Sequence, residues 1–441
     1  MDPNDEGGEA QSPGALATSE ASPGQRTAST RPSVAIPVQR GFLQTFSSLR
    51  NTPFLFLWLG MLAMMGSIQM QMVARGYLVY DITDSATLLG LVSAGSALPI
   101  LGLSLVGGAI ADRVERKRVI QITQMLNATM ALLVGLAIFA DKIEWYHLMA
   151  ASVFQGAIWA FLMPARQALI PQLVGKEQLS NAIALNAAGM SLMTLLSPAI
   201  AGVLYAQTGP DVVYFVIAAL SGLALVLTSL VPRSGGGQTG PRGAMMGDIV
   251  EGLVYIRRSP VVMVLLIIGL ATTLLAMPIR FLMPVLVVSI YKLGPESLGL
   301  LLTVMGLGSL VGTLFIAWVG RWRRGMMLLA GTLASGVALL LLALLPFYAV
   351  AVVIMLLLGL GEAARRALNQ ALVMEEVEDQ YRGRVMSVFM MNFGLMPLGV
   401  LPMGLIADAF GGQAAVGTLG VLLLIVTAVL WVTQGRVRRL Q

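Results

Sequence analysis

Long apolar runs, each close to the length that crosses a lipid bilayer, alternate with short polar connectors along most of this chain. About 20 predominantly apolar residues suffice to span the hydrocarbon core as a helix. Twelve such runs fall at roughly 53–79, 87–111, 119–140, 146–170, 180–206 and 211–231, then 260–290, 297–319, 326–346, 348–372, 384–408 and 413–434. They are continuous and rich in Leu, Ala, Met and Gly, without the two-residue alternation of a lipid-facing barrel strand. A helix satisfies its backbone N–H and C=O groups within one segment, as hydrocarbon demands. The pattern predicts an all-α polytopic membrane protein with twelve transmembrane helices.

The connectors sort these helices into two sixes. The longest, 232–259, carries Ser-Gly-Gly-Gly and then a predicted helix over Met245–Arg258, so it reads as a cytoplasmic linker between bundles at 51–231 and 260–435. Residues 1–50 are rich in Pro, Gly, Ser, Thr and Ala and predict a disordered cytoplasmic tail. Phe42, Phe46 and Leu49 mark a short amphipathic helix at its end, lying on the membrane. Residues 436–441 form a basic tail. The halves resemble each other: Arg166-Gln-Ala-Leu-Ile matches Asn369-Gln-Ala-Leu-Val, and Ser85–Leu91 resembles Gly294–Leu300. Two pseudo-symmetric six-helix bundles are therefore expected, a duplication typical of transporters.

Composition removes the soluble alternatives. The chain is 57% apolar and 11% charged, too little charge to cover a water-facing surface. The net charge of +6 reflects topology rather than nucleic-acid binding, because the cations cluster in alternate connectors. Of the 28 lysines and arginines, only Lys142 and Lys292 fall in the opposite loops, and Arg75 and Arg280 fall inside spans. All others, Arg166, Arg365 and Arg366 included, are assigned to one side, which the bias of Lys and Arg makes cytoplasmic, with both termini. There is no cysteine and one histidine, His147, which reads as a polar loop residue. Neither a thiolate nor a histidine metal site is available, and no phosphate-binding Gly-x4-Gly-Lys-Ser/Thr loop occurs. An enzyme or a cofactor-dependent protein is not expected.

One connector carries a signature. Residues 108–120, Gly-Ala-Ile-Ala-Asp-Arg-Val-Glu-Arg-Lys-Arg-Val-Ile, resemble the loop between spans 2 and 3 of the major facilitator superfamily, Gly-x-Leu-Ala-Asp-Arg-x-Gly-Arg-Lys-x-x-Leu. Gly108, Ala111, Asp112, Arg113, Arg116 and Lys117 match, while Glu115 replaces the second glycine. This variant, with Tyr381-Arg-Gly-Arg-Val-Met-Ser in the span 10–11 connector, is similar to the branch of enterobactin exporters and macrolide-efflux proteins. The resemblance implies a secondary transporter working by alternating access. It also implies that Asp112 docks on the start of span 11, near Gly383 and Arg384, when the cytoplasmic side shuts. Arg116 and Lys117 would meet Glu375, Glu376, Glu378 or Asp379 across that interface; alternatively these cations only fix topology. Ser197–Gly202 stands where exporters of the superfamily carry Gly-Pro-x-x-Gly-Gly, with small residues for two of the glycines.

Charges inside spans are functional candidates because lipid makes them costly. Arg75 and Arg280 occupy comparable depths in spans 1 and 7, within one helical turn of pseudo-equivalence. Together they suit an anionic or strongly polar substrate group, or else they snorkel or pair with Asp81 and Asp84. Glu362 is the clearest acid within a span and a candidate proton carrier. Arg365 and Arg366 follow on its face, and a static pair with Arg366 is the alternative. Gln155 and Asn392, with Gln69, Gln71 and Asn186, are uncharged candidates for the cavity or for helix–helix hydrogen bonds. Asp408 is expected to end span 11 in water.

These features point to proton-coupled export of amphipathic small molecules, siderophore-, macrolide- or drug-like, by a monomer in the bacterial cytoplasmic membrane. A lipid or lysolipid flippase, or an importer of an anionic metabolite, is the alternative within transporters; a membrane enzyme or channel is further off.

Overall fold

The computed structural model describes residues 48–103, 114–232, 245–320, 323–378 and 380–438. The expected tail helix at 41–50, all but its last three residues, and Gly108, Asp112, Arg113 and Asp379 lie outside them. The first half comprises α1 (Thr52–Thr83), α2 (Ala86–Leu103), α3 (Arg116–Phe139), α4 (Trp145–Leu173), α5 (Lys176–Thr208) and α6 (Pro210–Ser229). Helix α7 (Met245–Arg258) lies in the connector where the sequence predicts it. The second half comprises α8 (Pro260–Leu275), α9 (Ile279–Val285), α10 (Pro295–Val319), α11 (Arg324–Leu344), α12 (Tyr348–Glu376), α13 (Arg382–Leu395), α14 (Val400–Phe410) and α15 (Gly412–Thr433), followed by the short α16 (Gly435–Arg438).

Among the described residues, eleven segments are long and apolar enough to cross a bilayer, Pro260–Ile290 counting as one. Large side chains such as Trp318 (82% exposed), Val432 (78%) and Phe139 (72%) point outward, an apolar coat that water does not tolerate. The chain is a multi-pass, all-α membrane protein. Two expected spans depart from single helices. Residues 260–290 break at Ala276–Pro278 and end in a π-helical turn over Leu286–Ile290. Residues 384–408 divide into α13 and α14 around a 3₁₀ turn at Met396–Gly399. Prolines explain both breaks, since Pro278 and Pro397 lack the N–H that continues the ladder.

Two connections show the duplication at the level of a backbone angle. Gly209 joins α5 to α6 with φ 92°, and Gly411 joins α14 to α15 with φ 91°. A one-residue reversal of this kind uses a region that side chains disfavour, which glycine enters freely. His147 caps its own helix: its Nδ1 accepts from the Glu144 N–H at 3.1 Å, at the start of α4 rather than in a loop.

The buried apolar residues form three clusters among the described residues. One runs through both halves at the end of the bundle away from the basic connectors, from Met70–Val92 in the first half to Met403–Leu423 in the second. At the basic end the core is divided: one cluster, including Phe54, Ile120 and Leu169, belongs to the first half, and one, including Leu265, Leu328 and Leu372, to the second. Among the described residues, the apolar cluster shared by the halves therefore lies at one end only. There α5 lies on α10, and α2 lies on α14. A methyl group at Gly202 would come within 2.5 Å of the Pro295 carbonyl oxygen, and one at Gly299 would strike the Pro198 carbonyl. The Ser197–Gly202 segment thus serves close approach between the halves, and Pro198 sits inside an unbroken α5. The corresponding contact of α2 with α14 is at Gly90, where a methyl would lie 3.1 Å from the Val400 carbonyl oxygen.

Polar side chains tie helices together within the first half. Asn127 Nδ2 donates to Ser67 Oγ (3.0 Å) and Ser221 Oγ (2.8 Å), joining α3, α1 and α6. In the second half, α10 and α12 pack through reciprocal glycines: a methyl at Gly359 would collide with the Met305 carbonyl, and one at Gly308 with the Leu356 carbonyl. Backbone at this distance cannot yield as a flexible side chain does. Gly359→Leu is expected to destabilise the protein by about 3 kcal/mol or more, seen as a lower unfolding temperature in detergent. Gly222→Leu, with open space around the site, should change it little.

Candidate polar site between the halves

Among the described residues, the charged side chains that are buried are Arg75, Arg166, Arg365 and Glu362. Each sits within a helix, Arg166 and Arg365 in the expected spans 146–170 and 348–372 although the charge count groups them with the cytoplasmic cations. Arg166 Nη2 donates to Asn186 Oδ1 at 2.6 Å, linking α4 to α5. Arg365 donates through Nη1 to Ser335 Oγ, linking α12 to α11.

Arg75 and Gln155 form the first cross-helix pair. Arg75 Nη1 donates to Gln155 Oε1 at 2.9 Å, from α1 to α4. Neither Asp81 nor Asp84 reaches it; both lie a turn or more beyond, where the helix meets its left-handed cap at Asp84. Arg75 makes no ion pair among the described residues, and Gln155 Nε2 is buried without a partner.

The second pair is its pseudo-symmetric counterpart. Arg280 Nη2 donates to Glu362 Oε2 at 2.7 Å, from α9 to α12. Here the sequence expectation of an Arg366 partner is corrected. The i,i+4 spacing places Arg366 on the right face of α12, but the break before Arg280 turns its guanidinium onto Glu362 first. Arg366 is exposed and lines a cavity instead. That cavity, about 40 Å³, lies between α8, α12 and α13 and is lined by Thr272, Glu362, Arg365, Arg366, Asn369 and Asn392 among others. At roughly 10–15 Å³ per water it admits a few water molecules or one small polar group. Asn369 Oδ1 and Asn392 Nδ2 are both buried there without partners.

The two helix breaks meet beside this site. A methyl at Gly399 would lie 2.6 Å from the Leu274 carbonyl oxygen and 3.0 Å from Pro278 Cγ. Interrupted helices at the contact of two repeats are where transporters place substrate and ion sites.

Acidic and basic groups at the two ends hold different contacts. Away from the basic end, Asp408 is exposed in the last turn of α14, as expected, and it also makes contacts the sequence does not announce. Its Oδ1 accepts from the Ala86 N–H (2.7 Å), and its Oδ2 accepts from the Thr87 N–H (2.8 Å) and the Ser85 hydroxyl (2.8 Å). A carboxylate from α14 therefore caps the N-terminus of α2, where free N–H groups and the helix dipole favour an anion. At the basic end, Arg116 Nη1 donates to the Ala168 carbonyl at 3.0 Å, and Lys117 Nζ donates to the Ser229 carbonyl at 2.9 Å. Both stay within the first half. Among the described residues the expected pairing with Glu375, Glu376 or Glu378 is not made; Glu375 is held by Arg324 at 2.6 Å, and Asp379 lies outside the described residues. Gly383 is the second residue of α13. Arg384 pairs with Glu251 at 2.5 Å and lies over the Tyr381 ring, which stacks on Tyr255 at 4.4 Å. The connector helix α7 is thereby fastened to the start of α13.

Ser335 and Asn369 are the members of this site hardest to see in the sequence. The repeat holds a signal for Asn369, since it aligns with Arg166, and Asn392 stands where Asn186 stands in the first half.

Comparison with known proteins agrees with this architecture. Residues 43–439 match the family of transmembrane secretion effectors. Macrolide efflux protein A of Streptococcus pyogenes is 24% identical over 365 residues, covering 81% of this chain and 90% of that one. The multidrug efflux pump Tap of Mycolicibacterium fortuitum is 27% identical over 355 residues, covering 78% and 86%. The enterobactin exporter of Salmonella typhi is 26% identical over 331 residues, covering 74% and 76%. The fold is also that of a mutant nucleoside transporter NupG, with a TM-score of 0.72 at 12% identity over 86% of this chain and 98% of that one. With a family match across nearly its whole length and the bundle just described, this chain belongs to the transmembrane secretion effectors of the major facilitator superfamily and is a membrane transporter.

Proposed function

We propose that this transporter exports amphipathic small molecules across the bacterial cytoplasmic membrane, coupled to protons, by opening one central site alternately to either side. The observation that carries this reading is the divided core: among the described residues one apolar cluster is shared by the halves at one end, and two separate clusters, one in each half, lie at the other. The basic end faces the cytoplasm with both termini, since Lys and Arg are retained there. The structure is then the inward-open state, sealed outside by the Asp408 contact and the Gly202–Gly299 approach. Efflux and export in the names of the relatives support the direction.

Glu362 carries the proton in this reading. Paired to Arg280 it is charged; protonation releases Arg280 and loosens α9 from α12, beside the helix breaks. Asp112 docks near Gly383 when the cytoplasmic end closes, and the Arg116 and Lys117 contacts orient that loop. The chain works as a monomer, with no cofactor.

The test is flux in proteoliposomes under an imposed pH gradient, with a panel holding a macrolide and enterobactin. At least one compound is expected to move only with the gradient, and Asp112→Asn is expected to slow it about tenfold or more. Flux indifferent to the gradient, or an Asp112→Asn rate equal to that of the parent protein, contradicts the reading.

A further inference from the structure

We infer that the transported molecule carries an acid group, and that this group is held in the cavity of the second half between Arg366 and Asn392. The inference rests on the transporter reading and names the substrate class for the same site.

The argument starts from charge. Glu362 is the one buried acid among the described residues, and Arg280 neutralises it at 2.7 Å. Arg365 and Arg366 border the same cavity and act on that one carboxylate from farther off, so three guanidiniums share a single acid. Arg365 spends one donor on Ser335. Arg366 makes no hydrogen bond or ion pair among the described residues, and its guanidinium offers a planar fork that fits a carboxylate or phosphate edge. Asn392 Nδ2 adds a buried donor without a partner, while the buried Asn369 leaves its acceptor Oδ1 unpaired. Cations in excess, an unpaired amide donor and about 40 Å³ of space describe a receptor for one small anionic group.

The duplication strengthens the case. In the second half a guanidinium on the first helix meets a carboxylate on the fourth; in the first half the same position pairs Arg75 with neutral Gln155. Arg75 thus makes no ion pair among the described residues, and no acid of the first half lines the cavity. A site for lipophilic amines requires the opposite balance, with carboxylates or aromatic faces turned to the ligand. The body of the molecule, apolar or mixed, would extend from the cavity toward the divided basic end.

A matched pair of fluorescent probes tests the sign. The full chain in nanodiscs at neutral pH is titrated with dansylglycine, which ends in a carboxylate, and with dansylcadaverine, which ends in an amine. Dansylglycine is expected to bind at least about tenfold more tightly, the order of one charge-assisted contact. Arg366→Gln should weaken it about tenfold and Arg366→Lys much less. Asn392→Asp, which places an acid in the cavity, should reverse the preference between the probes. Arg118→Gln, outside the cavity and paired with Glu115, should change neither. Equal or tighter binding of the amine, no saturable binding of either probe, or an unchanged affinity in a folded Arg366→Gln protein overturns the acid class. The transporter reading fails separately: it falls if the panel of compounds shows no protein-dependent flux while dansylglycine still binds.

Discussion

Glu362→Gln is expected to abolish gradient-driven transport, a loss of about a hundredfold or more, and to lower stability as well. The glutamine keeps the shape and removes both the charge and the titrating proton. Arg280 then loses the carboxylate that holds it at 2.7 Å. Breaking one member of a buried ion pair costs about 3–5 kcal/mol, because the other charge is left without compensation. That cost alone could reduce transport through misfolding, so the decisive variant is double. Arg280→Gln combined with Glu362→Gln removes both charges, and its unfolding temperature should return toward that of the parent protein. Coupled transport should not return. A double variant that transports with the gradient intact would show the pair to be structural and would move the proton elsewhere.

Asp408→Ala is expected to open the end away from the basic connectors. The carboxylate accepts from two backbone N–H groups and one hydroxyl of the neighbouring half. Charge-assisted hydrogen bonds contribute roughly 1.5–3 kcal/mol each where buried, and exposure at this rim reduces them. A total near 2 kcal/mol shifts a two-state balance about thirtyfold. Because the chain has no cysteine, spin labels can be placed at will: Ile82→Cys and Phe410→Cys put one on each half at this end, both at exposed positions. The label distance should lengthen in Asp408→Ala and stay short in Asp408→Glu to the extent that the longer acid reaches α2. An unchanged distribution in Asp408→Ala would make the apolar cluster, with Gly90 and Gly202, the whole of the seal.

Much of this architecture is legible in the sequence because lipid imposes one rule on every span. A run such as 413–434 has little choice but to be a helix, and α15 covers Gly412–Thr433. The superfamily signature is equally local, carried by residues adjacent in the chain. Partners are not local. The spacing of Glu362 and Arg366 on one helix suggests a pair, yet the true partner, Arg280, comes from another helix and is aimed by a proline break. Asp408 looks like an end-of-span acid because nothing near it in sequence reveals that α2 begins beside it. Arg116 and Lys117 are expected across an interface, yet they donate to carbonyls of their own half. Arg166 and Arg365 are counted with the cytoplasmic cations, yet both are buried within their spans, on Asn186 and Ser335 of neighbouring helices. Each miss concerns which element a side chain meets, and hydropathy along a single chain does not record that.

The central claim is that the two ends open in alternation about one site. Distances at both ends, measured in paired samples of the same protein, test it most directly: Ile82→Cys with Phe410→Cys at one end, and Gln172→Cys with Glu376→Cys, the exposed ends of α4 and α12, at the other. The account predicts a short distance at the first end with a long one at the second, exchanging together when Asp408→Ala or a pH change shifts the balance. Two ends that remain fixed, or that open together, would contradict it.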